Sequence, residues 1–286
     1  MAHAVSPQQR TQAILLLVAA GLFWSTAGVL IKYVTWHPLA IWAVRCGVSG
    51  AVLAAVIQPA WGRVTSAEWG AALTHAATTG MFIAANKLTT PANAILIQYS
   101  APVWVALLGA WMLGEKATRG DWMTIVAVLG GVAVFFFEQL TLQGTAGNLI
   151  ALAAGIGFAF HIMLLRKVAS AGGQPLRAVI IGNAIGALAG AYWCFATPGP
   201  SATGWAALIA LGVVQQAGAY FCYGWAIRRV TALTGLLIPI IEPILSPVWV
   251  LLVFGEQPGR WALVGGVVVV GAVTMRALWS LRANKA

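Results

Sequence analysis

Ten apolar runs of about 20 residues each fill this chain, and nothing else in it limits the fold as strongly. They lie at 12–34, 38–58, 69–88, 92–113, 120–138, 146–168, 176–195, 204–227, 232–254 and 259–279. A helix rises about 1.5 Å per residue, so each run can cross roughly 30 Å of hydrocarbon. The connections are short and rich in turn formers, such as His37-Pro38, Gln58-Pro59, Gly172-Gly173 and Thr197-Pro198-Gly199-Pro200. They leave no stretch for a water-soluble domain. Composition agrees: 60% of residues are hydrophobic and 8% charged, too few charges to cover a surface in water. The chain reads as an all-α integral membrane protein with ten transmembrane helices. The first run follows Arg10 and contains Ser25-Thr26-Ala27, a small-residue stretch like a cleavage site. Because it continues to Val34 and has a counterpart later in the chain, it reads as a retained helix.

The net charge is +10, but the positives sit in the gaps between runs and form no basic stripe, which argues against nucleic acid as a partner. If the N-terminus is cytoplasmic, twelve of the sixteen Lys and Arg, Lys285 among them, fall on the inside. Only Lys32, Lys87 and Arg260 fall at outer ends, and Arg45 lies within a run. The positive-inside rule therefore predicts cytoplasmic termini at both ends and an even number of spans.

The chain also repeats itself. Pro102, Gly114 and Glu115 recur as Pro243, Gly255 and Glu256, each 141 positions later. Ala43, Gly47 and Ala51 recur as Gly182, Gly186 and Gly190 at a shift of 139, two small-residue ridges suited to close helix packing. Residues 1–140 and 141–286 thus hold five runs each. An odd number of spans per copy makes the second copy enter the membrane from the opposite side, so these are two inverted-topology five-helix repeats, an arrangement common in secondary transporters.

Pro102 removes a backbone hydrogen bond in mid-span, and Pro239, Pro243 and Pro247 recur every four residues in the ninth run. Broken helices at matching places in two halves point to a substrate site or hinge. Glu242 is the one acidic residue deep in a run. A carboxylate there is costly unless paired, protonated or hydrated, so it reads as accepting an amine or carrying a proton, with a purely structural protonated Glu beside Pro243 as the alternative. Glu115 and Glu256 sit in short connections before the next helix and read as caps and hairpin fasteners. His75, Thr78, Thr79, Asn86, Gln98, His161, Asn183, Gln215 and Gln216 place polar groups within runs, and Trp24, Trp104, Trp225, Tyr99, Tyr220 and Tyr223 place deep aromatic rings. Each has a plain use in packing or interhelical hydrogen bonding. Together they suit the few polar points of an otherwise apolar pocket. His75 and His161 have no third ligand spaced to help them, and Cys46, Cys194 and Cys222 form no CxxC pair, so neither a metal site nor a cofactor is expected. No Walker A loop, GxSxG elbow or HExxH occurs, which leaves ATPase and hydrolase readings without support and the chain not an enzyme.

Two five-helix halves, each closing its fourth helix with proline, an apolar run and Gly-Glu, resemble the EamA type of the drug/metabolite transporter superfamily. The matching stretches are Ala92 to Val134 and Ala232 to Val273, with Leu22-Phe23-Trp24-Ser25 in the first helix. The Gln257-Pro258 that follows the second Gly-Glu departs from the pattern within a loop. The resemblance implies a multi-pass protein of the bacterial inner membrane, working by alternating access around a cavity framed by helices 1, 3, 4, 6, 8 and 9. On that frame the substrate-binding candidates are Trp24, His75, Thr79, Gln98, Tyr99, His161, Gln216, Tyr220, Tyr223 and Glu242, with Pro102, Pro239, Pro243 and Pro247 as helix breaks. The family exports amino acids, metabolites or drugs. Aromatic and amide groups around one Glu best suit a neutral amino acid, aromatic ones included. A multidrug exporter of cationic compounds and a passive channel are the alternatives. The partners expected are the small-molecule substrate and the lipid bilayer, with the chain a monomer or a homodimer.

Overall fold

The computed structural model describes residues 6–257 and 259–282. Pro258 and Lys285, which entered the loop and charge readings, lie outside the described residues. Among the described residues every regular element is helical. In chain order they are α1 Pro7–Ile31, α2 Pro38–Ile57, α3 Ser66–Leu88, α4 Pro91–Leu113, α5 Arg119–Phe135, α6 Thr145–Ser170, α7 Pro175–Ala196, α8 Ala202–Ala226, α9 Ala232–Phe254 and α10 Arg260–Arg282. Eight of these are long and apolar enough to cross a membrane. The other two differ for visible reasons. Helix α3 is diluted by Glu68, His75, three threonines and Asn86, and α5 has only 17 residues.

The helix starts follow from local chemistry. Ser6 and Gln9 form a reciprocal capping box around Pro7, so α1 begins well before the first apolar run at residue 12. Thr65 with Glu68 and Thr118 with Asp121 do the same for α3 and α5. This corrects the reading of Glu115 as a cap for its own hairpin. Asp121 already fills that role, and Glu115 reaches across to α9, where its Oε2 accepts the N–H of Ala232 at 2.8 Å. Its Oε1 accepts from Arg166 Nε of α6, also at 2.8 Å. Glu256, at the far end of α9, pairs with Lys32 at the far end of α1.

Helices α4 and α9 are both interrupted in mid-course. The break in α4 falls at Tyr99–Ser100, between Pro91–Gln98 and Ala101–Leu113. That in α9 is a 3₁₀ turn, Ile238–Ile241. The cause is the same in each. Pro102 has no N–H for the Gln98 carbonyl, and Pro243 has none for the Pro239 carbonyl, which takes the N–H of Glu242 instead. The bundle answers with glycine. A methyl group on Gly155 of α6 would stand 3.0 Å from the Gln98 oxygen, and one on Gly21 of α1 would stand 3.2 Å from the Pro239 oxygen. Only a residue without Cβ brings α6 and α1 this close to the broken backbones.

The helices pack in matched pairs. Helix α3 lies along α6 and α1 along α8; α4 lies on α6 and α9 on α1; α2 runs along α7 and α5 along α10. Replacing each helix by the one five places away returns the same set of pairings. The ridge Gly182, Gly186 and Gly190 of α7 meets Ala72 and His75 of α3 and Trp42, Ala43 and Cys46 of α2.

The close approach at Gly155 can be tested. Gly155→Ala should lower the thermal stability of the detergent-solubilised protein, with overpacking against backbone costing about 1–3 kcal/mol. Gly130→Ala, where an added methyl meets nothing within 4 Å, should leave stability unchanged or slightly raised. Equal melting of the two variants would show that the α6 contact is slack.

Candidate functional site

The polar residues inside the bundle separate into two sets. The first is buried and hydrogen-bonded within itself, apart from Gln216 Oε1, which has no partner among the described residues. Asn183 of α7 is its hub. Its Oδ1 lies 3.0 Å from His75 Nε2 and accepts from Gln216 Nε2 at 2.6 Å, while its Nδ2 donates to Ser49 Oγ at 3.2 Å. Tyr220 puts its hydroxyl 3.2 Å from His75 Nδ1 and 3.5 Å from His161 Nε2. His161 Nδ1 lies 2.9 Å from the Ala71 carbonyl. Beside this network Trp42 Nε1 donates to Thr79 Oγ1 at 3.0 Å, and Thr79 donates onward to the His75 carbonyl at 2.9 Å.

A local irregularity makes the network possible. Residues Leu211–Gly218 of α8 form a π-helical stretch, whose wider turn brings both Gln215 and Gln216 to the buried side. Tyr220 and Tyr223 follow on the same face. Trp24 of α1 covers them, with its ring centroid 5.4 Å from Tyr220 and 5.7 Å from Tyr223.

The second set is half-buried and unengaged. Glu242 begins the helical segment after the 3₁₀ turn of α9, and among the described residues its side chain makes no hydrogen bond or ion pair. Arg45, on α2, is within electrostatic reach of Glu242, and its Nε is buried without a partner. Glu242 also acts on Tyr99 and Tyr220. Gln98, Tyr99 and Trp24 are half-buried as well, and the side chains of Gln98 and Tyr99 carry no hydrogen bond among the described residues. Polar groups without partners inside an apolar bundle cost several kcal/mol, so this is where a polar partner would be most favoured.

The residues named from sequence therefore divide. Trp24, Gln98, Tyr99 and Glu242 belong to the half-open set, and His75, His161, Gln216 and Tyr220 to the buried network. Thr79 is spent on Trp42 and the α3 backbone. Tyr223 is buried, with its hydroxyl unpartnered among the described residues. Pro102, Pro239 and Pro243 are buried at the two helix breaks, and Pro247 lies half-buried inside the helix that follows. Sequence reasoning missed the hub role of Asn183 and the contributions of Ser49 and Trp42. The small-residue ridge of α7 was the signal, since Gly182 sits against His75 one residue before Asn183. Among the described residues no group of three potential ligands could hold a metal ion. A separate recess of about 290 Å³ opens at the Glu115 end, lined by Arg10, Lys116, Asp121, Arg276 and Trp279 among others, and does not include these mid-helix residues.

An all-helical bundle with unengaged charged and polar groups at mid-helix has the build of a membrane carrier, and comparison with known proteins agrees. The chain matches the EamA-like transporter family over residues 11–137 and 145–277, and it belongs to that family. It is thus a multi-pass membrane transporter. An "Uncharacterized transporter" of Archaeoglobus fulgidus is 24% identical over 260 residues, covering 90% of this chain and 93% of that protein. The "Uncharacterized transporter YwfM" of Bacillus subtilis is 26% identical over 267 residues, covering 86% and 88%. A crystal structure with 22% sequence identity superposes with a TM-score of 0.79 over 95% of this chain and 99% of that one, and so shares the fold.

The buried network makes a prediction about stability. Asn183→Leu strips partners from His75, Gln216 and Ser49 together and should destabilise by about 2–4 kcal/mol, at roughly 1–3 kcal/mol per unsatisfied group with partial relaxation. Thr78→Val, at a buried hydroxyl with no partner, should be neutral or stabilising. Thermal unfolding in detergent measures both, and a harmless Asn183→Leu would contradict the hub role.

Proposed function

We propose that this transporter carries neutral, zwitterionic amino acids, aromatic ones included, outward across the bacterial inner membrane by alternating access. The observation that carries the reading is the state of Arg45 and Glu242. They are opposite charges at mid-helix, within electrostatic reach of each other yet joined by no ion pair among the described residues. Two uncompensated charges inside a membrane are expensive. An α-amino acid brings the carboxylate and the ammonium that complete them. Gln98 supplies an amide beside the polar end, and Trp24 and Tyr99 supply faces for an aromatic side chain, where stacking adds about 0.5–1.5 kcal/mol.

The topology proposed is ten spans in two inverted five-helix repeats, 1–140 and 141–286, with both termini cytoplasmic. Three observations support it: the pairings that survive a shift of five helices, the matched breaks in α4 and α9, and the division of the family match between α5 and α6. Alternating access is supported by the two terminal ion pairs. Glu115 and Arg166 join the halves at one end, half-buried at 21% and 19% exposure, with Arg166 also donating to the carbonyls of Ile227 and Arg228. Their repeat-related counterpart at the other end, Glu256 with Lys32, is 59% and 36% exposed. In this topology the cytoplasmic end is the tightly sealed one.

Competition against a labelled neutral amino acid in proteoliposomes tests the substrate. Phenylalanine should compete, while phenylpropionate, phenethylamine, glutamate and quaternary ammonium drugs should not. Arg45→Gln and Glu242→Gln should each weaken phenylalanine about 10–100-fold, the worth of one charge-assisted hydrogen bond. Efficient competition by glutamate or a quaternary ammonium without phenylalanine would end the amino-acid reading, and non-saturating flux would point to a channel.

The topology has its own test. A single cysteine at Thr197 to Ser201, with Cys46, Cys194 and Cys222 replaced, should react with an impermeant thiol reagent outside intact cells. Labelling only after lysis would rule out ten spans with cytoplasmic termini.

A further inference from the structure

With the Asn183 and Gln216 amides oriented so that Asn183 Oδ1 faces His75, the cluster of His75, His161 and Tyr220 is short of one hydrogen. His161 Nδ1 faces the Ala71 carbonyl at 2.9 Å, and a carbonyl only accepts, so that nitrogen carries the hydrogen and Nε2 of the neutral ring is a lone pair. His75 Nε2 faces Asn183 Oδ1 at 3.0 Å, an acceptor already taking the Gln216 N–H, so Nε2 carries the hydrogen and Nδ1 is a lone pair. Both lone pairs point at one tyrosine hydroxyl, at 3.2 and 3.5 Å, and that hydroxyl has a single hydrogen. The three side chains are 1%, 0% and 6% exposed, so bulk solvent does not reach them. One proton taken from water completes the chain. Protonated His161 donates to the Tyr220 oxygen, Tyr220 donates to His75, and His75 donates to Asn183.

A second arrangement completes both imidazole rings with no added proton, leaving the Gln216 NH2 where its unpartnered oxygen stood. Turning the Asn183 and Gln216 amides over exchanges their oxygen and nitrogen at the same positions. Asn183 then donates to His75 Nε2 and to the Gln216 oxygen, and accepts from the Ser49 hydroxyl. His75 carries its hydrogen on Nδ1 and donates to Tyr220, which donates to His161. The two arrangements differ by one proton and two amide reversals. We propose that His75, Tyr220 and His161 form a proton-binding site, that Asn183 and Gln216 reverse as it fills, and that this site couples substrate movement to protons; the coupling rests on the carrier reading above.

The placement suits that role. Ser49 and His75 come from α2 and α3, and His161, Asn183, Gln216 and Tyr220 from α6, α7 and α8, so the network ties the two halves together. Among the described residues, the ionisable groups acting on it are Arg45 and Cys46 from α2, Tyr223 from α8 and Glu242 from α9. From α7 the nearby charge, Arg177, is consumed by Glu68 at 2.7 Å, and α1 and α6 add only the rings of Trp24 and Phe158. The Arg45 charge acts on His75 and, together with Glu242, on Tyr220.

The test is nitrogen-15 imidazole spectroscopy of the full-length protein in lipid nanodiscs. As pH falls, His161 should become an imidazolium while His75 changes from the Nδ1–H to the Nε2–H tautomer in the same transition. In Tyr220→Phe the His75 change should be uncoupled from His161. If both rings keep one neutral tautomer wherever the protein is folded, or if Tyr220→Phe titrates like the wild type, the proton site is refuted whatever the transport result. In proteoliposomes, stimulation of amino-acid flux by a proton gradient should be present in the wild type and lost in Tyr220→Phe and His161→Gln. A linked tautomer change without gradient stimulation of a working carrier would overturn the coupling. The same change with no amino-acid flux would sustain the proton site and discard the amino-acid reading.

Discussion

The structure depends on how two interrupted backbones are accommodated in an apolar surround. Each peptide carbonyl in hydrocarbon must find a partner or face a polar space. Pro102 and Pro243 strain that rule at matched positions by removing an N–H from the turn, and in α9 the Pro239 carbonyl takes the Glu242 N–H instead. Helices α6 and α1 approach with Gly155 and Gly21 against the Gln98 and Pro239 carbonyls. That approach carries His161 on α6 and Trp24 on α1 into the centre. The break in α9 also leaves Glu242 heading a new helical segment instead of sitting within a continuous one. The same prolines that weaken two helices thus fix where the polar centre lies.

Around this centre the polar residues perform two jobs that require opposite conditions. Asn183, Ser49, Gln216, His75, Tyr220 and His161 are buried and hydrogen-bonded to one another, which makes their geometry definite. Arg45, Glu242, Gln98 and Tyr99 are left incomplete, which makes them receptive. Tyr220 is bonded into the network and stands edge-on against Trp24, which also lies against Tyr223. In the proposed carrier, a substrate at Arg45 and Glu242 would act on the network through the fields of those two groups.

Much of this was legible in the sequence, and the failures are instructive. The apolar runs predict the helices closely because span length is dictated by bilayer thickness. The 141-residue echo of Pro102 and Glu115 predicts the paired breaks, since proline acts on its own backbone whatever its neighbours. Glu115 was misread because a cap is inferred from local spacing, whereas this carboxylate crosses to Ala232, far away in sequence. Asn183 escaped selection for a similar reason. Nothing in the α7 sequence marks one polar residue on a glycine ridge as a hub; only the docking of that ridge on α2 and α3 does. His75 and His161 stand out in the sequence as polar residues within spans, but whether a buried imidazole faces a cavity or a hydroxyl is a matter of tertiary contact.

The π-helical stretch at Leu211–Gly218 has a bearing on how such a chain can change in length. A π turn is in effect an α-helix holding one surplus residue, and the helical segments on either side keep their rotational phase. A single-codon deletion elsewhere in a span turns everything beyond it by about 100° and puts lipid-facing side chains into the core. A deletion within 211–218 would instead relax the stretch to ordinary α-helix, leaving Tyr220 and Tyr223 on the same face at the loss of one inward glutamine. Among the described residues, this is the one place inside the bundle where the chain can shed a residue and keep its faces.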